Sequence, residues 1–295
     1  MKNIKRVLFQ VKSAKNIFWD DTPIRIGCQL VVPDKFAGDQ PLCIISHGSG
    51  GLGSDTDLFV DSLGRQGIAT LCVDSFTGRN MEAIGWNDFS GYVSPRMRAL
   101  ETIEAYKFLC ENHKNMFAGL NLNKLALVGF SWGADTVANV IAHYNETLPK
   151  ETFFALCYGN LWPFEEAFYK AKEYDVTLYH GAEDNWTSPE KSKIFADETN
   201  SKYVEFFDCV HGFCKPGYDD EVAEQVIVNH HAPFPVPTEL KQVYSWIQKG
   251  KIWEDTEWQR VDAKMSYDQM ATEQILNDII ITICYYIFLH INQKY

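Results

Sequence analysis

A serine between two glycines, in the run LALVGFSWGADTV at residues 125–137, is where covalent chemistry could begin in this chain. Leu125 to Phe130 is short, uncharged and bulky apart from Gly129, the pattern of a buried strand. From Trp132 to Tyr144 the apolar residues Val137, Val140, Ile141 and Tyr144 fall at helical spacing. Ser131 therefore belongs to a sharp strand-to-helix turn, which strains its backbone and exposes its hydroxyl. Gly129 and Gly133 would relieve crowding against neighbouring backbone. The same five residues also fit a capping serine at an ordinary joint, so the reading depends on what else the chain supplies.

A serine hydroxyl attacks poorly near neutral pH unless a base takes its proton and a third group orients that base. In an open parallel sheet such groups gather at the carboxyl ends of the strands. Of eight histidines, His211 follows the strand-like run VEFFDCV and precedes Gly212, which puts an imidazole on a turn at that edge. His47 also ends such a run but precedes Ser131, His180 lies inside one, and His113, His143 and His290 go with helices. His230 and His231 fall in a later irregular stretch. For the acid, VTLYHGAEDNWTSP turns through Gly181 to Glu183 and Asp184. Asp184 lies deeper in the loop and is the choice, with Glu183 and the strand-ending Asp74 as alternatives; a turn or capping role would use the same residue types. The order Ser131, Asp184, His211 is the chain order of one hydrolase arrangement.

Attack on a carbonyl also needs backbone N–H groups aimed at the oxygen that gains charge. Trp132, directly after the serine, supplies one, and Ser49 or Gly50 in CIISHGSGGLG the other. A phosphate-cradling loop is the competing reading of those glycines, but neither G-x-x-x-x-G-K-[ST] nor G-x-G-x-x-G matches.

The elements that must position these groups alternate. Strand-like runs at Ile24–Val32, Leu42–Ser46, Ala69–Asp74, Leu125–Phe130, Thr152–Tyr158, Val176–His180 and Val204–Val210 are separated by helical stretches. Those stretches are Asp55–Gln66, Pro95–Asn112, Trp132–Asn145, Pro163–Glu173 and Ser188–Thr199, with Tyr267–His290 the last of them. This predicts an α/β fold with a mostly parallel, doubly wound sheet covered by helices on both faces. No repeat or linker divides the chain, so one domain over 1–295 is expected. Residues Phe213 to Lys264 show no obvious strand and form an excursion or lid. Phe234, Tyr244 and Trp246 within it, with His47, are candidates to line an acyl pocket, or merely anchor the segment.

The net charge of −12 and the lack of any Lys/Arg-rich run argue against a nucleic-acid partner. Cys43, Cys72, Cys157 and Cys209 lie in apolar runs, which favours buried free thiols and a reducing, cytoplasmic setting. Cys209 and Cys214 flank His211, but a zinc site lacks a second pair, so no metal or other cofactor is expected. The N-terminal apolar residues are interrupted by Gln10, Lys12 and Lys15, unlike a signal peptide. The apolar run from Ile279 to Leu289 falls short of the roughly 17–25 residues that span a bilayer, and reads as a buried terminal helix.

HGSGG at His47–Gly51, VDSFTGR at Val73–Arg79, GFSWG at Gly129–Gly133, HGAEDNWTSP at His180–Pro189 and VHGF at Val210–Phe213 together resemble the α/β-hydrolase superfamily, in its dienelactone hydrolase-like branch. The likeness runs from about Ile24 to Cys284, apart from the excursion. It departs in two ways: strict dienelactone hydrolases carry cysteine where this chain has Ser131, and the insertion after His211 is unlike a compact member. The resemblance implies hydrolysis of a small-molecule ester or lactone. An amidase or peptidase of the same fold, and a hydrolase-like protein that binds without turnover, are the alternatives.

Overall fold

The computed structural model describes residues 4–13, 20–33, 38–81, 93–161, 166–228 and 259–292. Eight strands form the main sheet: β1 Ile4–Ser13, β2 Ile24–Pro33, β3 Gln40–Ser46, β4 Ala69–Asp74, β5 Leu120–Phe130, β6 Phe153–Cys157, β7 Asp175–Gly181 and β8 Lys202–Phe206. Their order across the sheet is β1-β2-β4-β3-β5-β6-β7-β8. The β1–β2 and β2–β4 pairs are antiparallel, and every pair from β4 to β8 is parallel. Central strands such as β3, QPLCIIS, and β6, FFALC, are buried at every position, as strands covered on both faces must be.

Helices α1 Ser54–Arg65, α2 Pro95–Met116, α3 Trp132–Tyr144, α4 Pro189–Thr199 and α5 Gln269–Asn292 supply that cover. α2, α3 and α4 pack into one apolar cluster around sheet residues such as Leu42, Ile44 and Leu127, and α1 with α5 packs into a second around Ile45, Val128 and Phe130. Two layers of helix on one sheet thus bury two separate cores. No helix among the described residues is long and apolar enough to cross a membrane.

Three expectations need correction. β1 is absent from the predicted strands, although IKRVLFQVKS pairs along its whole length with β2. The strand expected at Val204–Val210 ends at Phe206, so His211 is reached through a turn and then makes a single bridge to Met265. The Phe213–Lys264 segment does contain strands: β9 Glu221–Val228 and β10 Gln259–Met265 form an antiparallel pair outside the main sheet. Their small apolar core holds Ala223, Val226, Ala263 and Met265, with Trp186 and Tyr218 packed against it.

Candidate active site

Ser131 stands between β5 and α3 with φ 50° and ψ −120°, a conformation a serine adopts only when its surroundings impose it. The flanking glycines show what imposes it. A Cβ on Gly129 would lie 2.2 Å from the Gly133 carbonyl oxygen, and one on Gly133 only 2.0 Å from that of Ser46. Neither position has room for a methyl group. The Ser131 N–H donates to the Cys157 carbonyl at 2.9 Å, which pins the turn to the end of β6.

His211 Nε2 lies 3.0 Å from Ser131 Oγ, and its Nδ1 lies 2.8 Å from Asp184 Oδ2. Asp184 is buried, and its carboxyl is held well below the usual carboxylate range: burial opposes ionisation, but His211 and His180 outweigh it. An ionised carboxylate only accepts, so His211 Nδ1 carries the proton and Nε2 offers a lone pair to the serine hydroxyl. The other carboxylate oxygen, Oδ1, accepts the backbone N–H groups of Trp186 and Thr187, each at 2.9 Å. Three segments far apart in sequence therefore meet at the carboxyl edge of the sheet. Neither alternative acid takes this place: Asp74 Oδ1 accepts the N–H groups of Phe76 and Thr77, each at 3.0 Å, and the contact to His211 comes from Asp184 rather than Glu183.

Ser49 and Gly50 line the cleft that also holds Ser131 and His211. Their loop packs onto the serine turn, since a Cβ on Gly48 would stand 3.3 Å from the Phe130 carbonyl oxygen. Trp132 opens α3, where a backbone N–H has no acceptor one turn earlier within the helix. Its indole N–H donates to the Val93 carbonyl at 3.2 Å.

His47 does not line this cleft. Its ring is fully buried: Nδ1 donates to the Gly48 carbonyl at 2.7 Å and Nε2 accepts the Ser75 N–H at 3.3 Å. Arg98 Nη2, fully buried beside it, donates to the His47 carbonyl. Phe234, Tyr244 and Trp246 lie outside the described residues. The described walls come instead from Tyr158, Trp186, Lys215, Tyr218 and Met265, none of them singled out from the sequence. Trp186 was findable, because it lies two residues after Asp184 in the same loop; its ring centroid is 4.7 Å from that of His211. Tyr158, just beyond β6, takes φ 42° and meets the His211 ring edge-on at 5.2 Å.

Cys209 and Cys214 are buried free thiols, and both nitrogens of the intervening His211 face Asp184 and Ser131. No group of three or more His, Cys, Asp or Glu among the described residues is arranged to hold a metal ion.

The serine turn, the order of the strands and the loops at their carboxyl ends define an α/β-hydrolase fold. Solved structures agree on it. A dienelactone hydrolase-like promiscuous phosphotriesterase from metagenomic libraries matches with TM-score 0.59 and 16% identity, covering 95% of this chain and 98% of its own. A candidate dienelactone hydrolase from Klebsiella pneumoniae matches with TM-score 0.51 and 14% identity over 71% of this chain and 88% of its own. Carboxyl esterase 2 of the fungus Tuber melanosporum gives 0.51 and 12% over 72% and 80%. No family model and no curated protein matches the sequence.

Proposed function

We propose that the protein is a serine hydrolase that cleaves small carboxylic esters or lactones through an acyl-enzyme. The observation that carries this reading is the continuous line of contacts from Ser131 Oγ through His211 to Asp184, at 3.0 and 2.8 Å. Ser131 Oγ bonds to the carbonyl carbon while its proton passes to His211 Nε2, and Asp184 stabilises the imidazolium that results. The carbonyl oxygen becomes an oxyanion beside the N–H groups of Trp132 and of Ser49 or Gly50, an effect worth on the order of 3 kcal/mol per donor. The C–O bond to the leaving group then breaks, and His211 Nε2 gives that oxygen its proton. Water repeats the sequence on the acyl group and restores the serine.

The cleft adds a preference. Lys215 Nζ lies 3.2 Å from where a Cβ on Gly50 would be and 4.8 Å from the Tyr218 ring centroid, and it makes no ion pair among the described residues. Asp55 lines the same cleft, but burial pushes its carboxyl up toward the neutral form, against the pull of the Thr56 N–H and Lys215. The Lys215 ammonium beside the loop attracts substrates with an acidic group near the scissile bond.

The test is turnover of matched chromogenic esters and anilides by the wild type and Ser131→Ala. Ester turnover that falls by three or more orders of magnitude in the variant, on the order seen for other nucleophile deletions, supports the reading. Equal turnover by both proteins would sink it, and faster cleavage of the anilide would move the assignment to an amidase.

A further inference from the structure

We propose that His180 is a positioning residue for Asp184, so that one carboxylate stands between two histidines of which only His211 exchanges a proton with Ser131. This rests on the serine hydrolase reading. His180 lies in β7, fully buried behind the acid. Its Nε2 is 2.9 Å from the Thr187 carbonyl oxygen, which can only accept, so Nε2 carries a proton. Its Nδ1 is 2.7 Å from Ser192 Oγ on α4, and in the neutral ring it accepts that hydroxyl's proton. The same Nε2 is 3.3 Å from Asp184 Oδ2, so the N–H that the Thr187 carbonyl accepts also brings its positive end close to the carboxylate oxygen that faces His211.

The other groups around the acid show why this donor matters. The backbone N–H groups of Trp186 and Thr187 bind Oδ1, the oxygen turned away from His211. On Oδ2, the Thr187 hydroxyl lies at 2.9 Å, but the Tyr158 carbonyl is 3.1 Å from the same hydroxyl, and its one proton serves one acceptor at a time. The His180 N–H, with Nε2 at 3.3 Å, is the second positive group behind Oδ2. On β8, Glu205 stands opposite His180 in register, yet Lys193 holds it at 2.7 Å and the Tyr203 hydroxyl at 3.1 Å. Without His180, Oδ2 would accept more strongly from His211, hold the imidazolium too tightly and lose part of its fixed aim.

The experiment compares the wild type with His180→Leu, which removes the donor, and His180→Gln, whose amide N–H can restore it. In the leucine variant kcat should fall roughly tenfold with KM unchanged, the loss expected for one hydrogen bond to a charged group. The acid limb of its pH–rate profile should move to higher pH, and the downfield proton resonance of His211 Nδ1–H should move further downfield. The glutamine variant should return kcat to within roughly threefold of wild type. A leucine variant that loses thermal stability while kcat, the acid limb and the resonance all stay at wild-type values overturns the proposal. Should that variant not fold, Ser192→Ala loosens the hold on the same tautomer, and an unmoved His211 resonance there overturns it equally. The resonance needs no substrate, so it is read independently of whether Ser131 turns over esters.

Discussion

His47 and His211 are both followed by glycine, both near the carboxyl edge of the sheet and both buried, at 0% and 4% exposure, yet they are suited to opposite tasks. What separates them is the partner. His47 is held by two backbone groups, an accepting carbonyl and a donating N–H, neither of which can change its protonation. Burial, then the charge of Arg98, pushes its pKa down to about 3, so it stays neutral and serves as a strut under the glycine loop. His211 is held by two side chains, a carboxylate that welcomes a positive imidazole and a hydroxyl that can give up its proton. Burial by itself therefore says nothing about which histidine can act as a base; the chemistry of its two neighbours does.

The sharpest way to break that comparison is to remove the neighbour that differs. Asp184→Asn keeps the shape but removes the charge and favours the wrong tautomer of His211, so kcat should fall by roughly 10⁴. Steady-state kinetics on a chromogenic ester would check it, and a loss below about tenfold would mean that His211 does not depend on its acid.

The matching change on the other side is His47→Gln. With Gly48 and Ser75 still within reach of an amide, kcat should drop only about tenfold, the scale of one hydrogen bond. Its clearer signature is in stability. The folded protein holds His47 neutral down to about pH 3, whereas its unperturbed value is 6.5. Between those values the unfolded chain binds more protons, so His47 lowers stability as pH falls from about 6.5 toward 3, by at most roughly 1.4 kcal/mol per pH unit. Urea midpoints at pH 7 and pH 5 should lie closer together for His47→Gln than for wild type. Equal spacing in the two proteins would contradict a neutral buried strut.

A smaller effect is expected from Lys215→Met, which leaves the relay intact and removes the cleft's positive charge. Relative to an uncharged ester, kcat/KM for a carboxylate-bearing one should fall roughly five- to tenfold, and raised salt should shrink the wild-type preference. Unchanged relative rates would remove Lys215 from substrate choice.

How much of this is legible in the sequence depends on whether a residue's surroundings come from nearby in the chain or from distant segments. GFSWG can be read because its five residues form one compact pattern, although only Gly129 is forced by backbone nearby in the chain, at Gly133, while Gly133 is forced by Ser46 and His47 at the end of β3. Asp184 can be read because it follows β7, whose apolar run is plain; His211 can be read from its place before a glycine in the turn region after β8, although that strand is charged and stops at Phe206. Most of the cleft walls cannot, since Tyr158, Tyr218 and Met265 come from separate segments and look like ordinary core aromatics or gap-fillers when taken singly; Trp186, beside Asp184, is the exception. β9, EVAEQVIV, and β10, QRVDAKM, escape notice because each carries charge, and in β10 the buried Ala263 and Met265 alternate with exposed Asp262 and Lys264, unlike the fully buried strands of the main sheet. β1 escapes for a related reason: IKRVLFQVKS is an edge strand with lysines and an arginine on it, and such charge masks the apolar run that marks a buried strand. His47, a pocket candidate by its position after a strand, turns out to be a strut because sequence does not show which way a ring turns.

The central claim is that His211 makes Ser131 nucleophilic. Treatment with a fluorophosphonate, followed by peptide mapping, tests it without any assumption about the natural substrate. The account predicts a single adduct on Ser131 in the wild type, formed orders of magnitude more slowly in His211→Gln. An unmodified Ser131, or a labelling rate indifferent to residue 211, would contradict it.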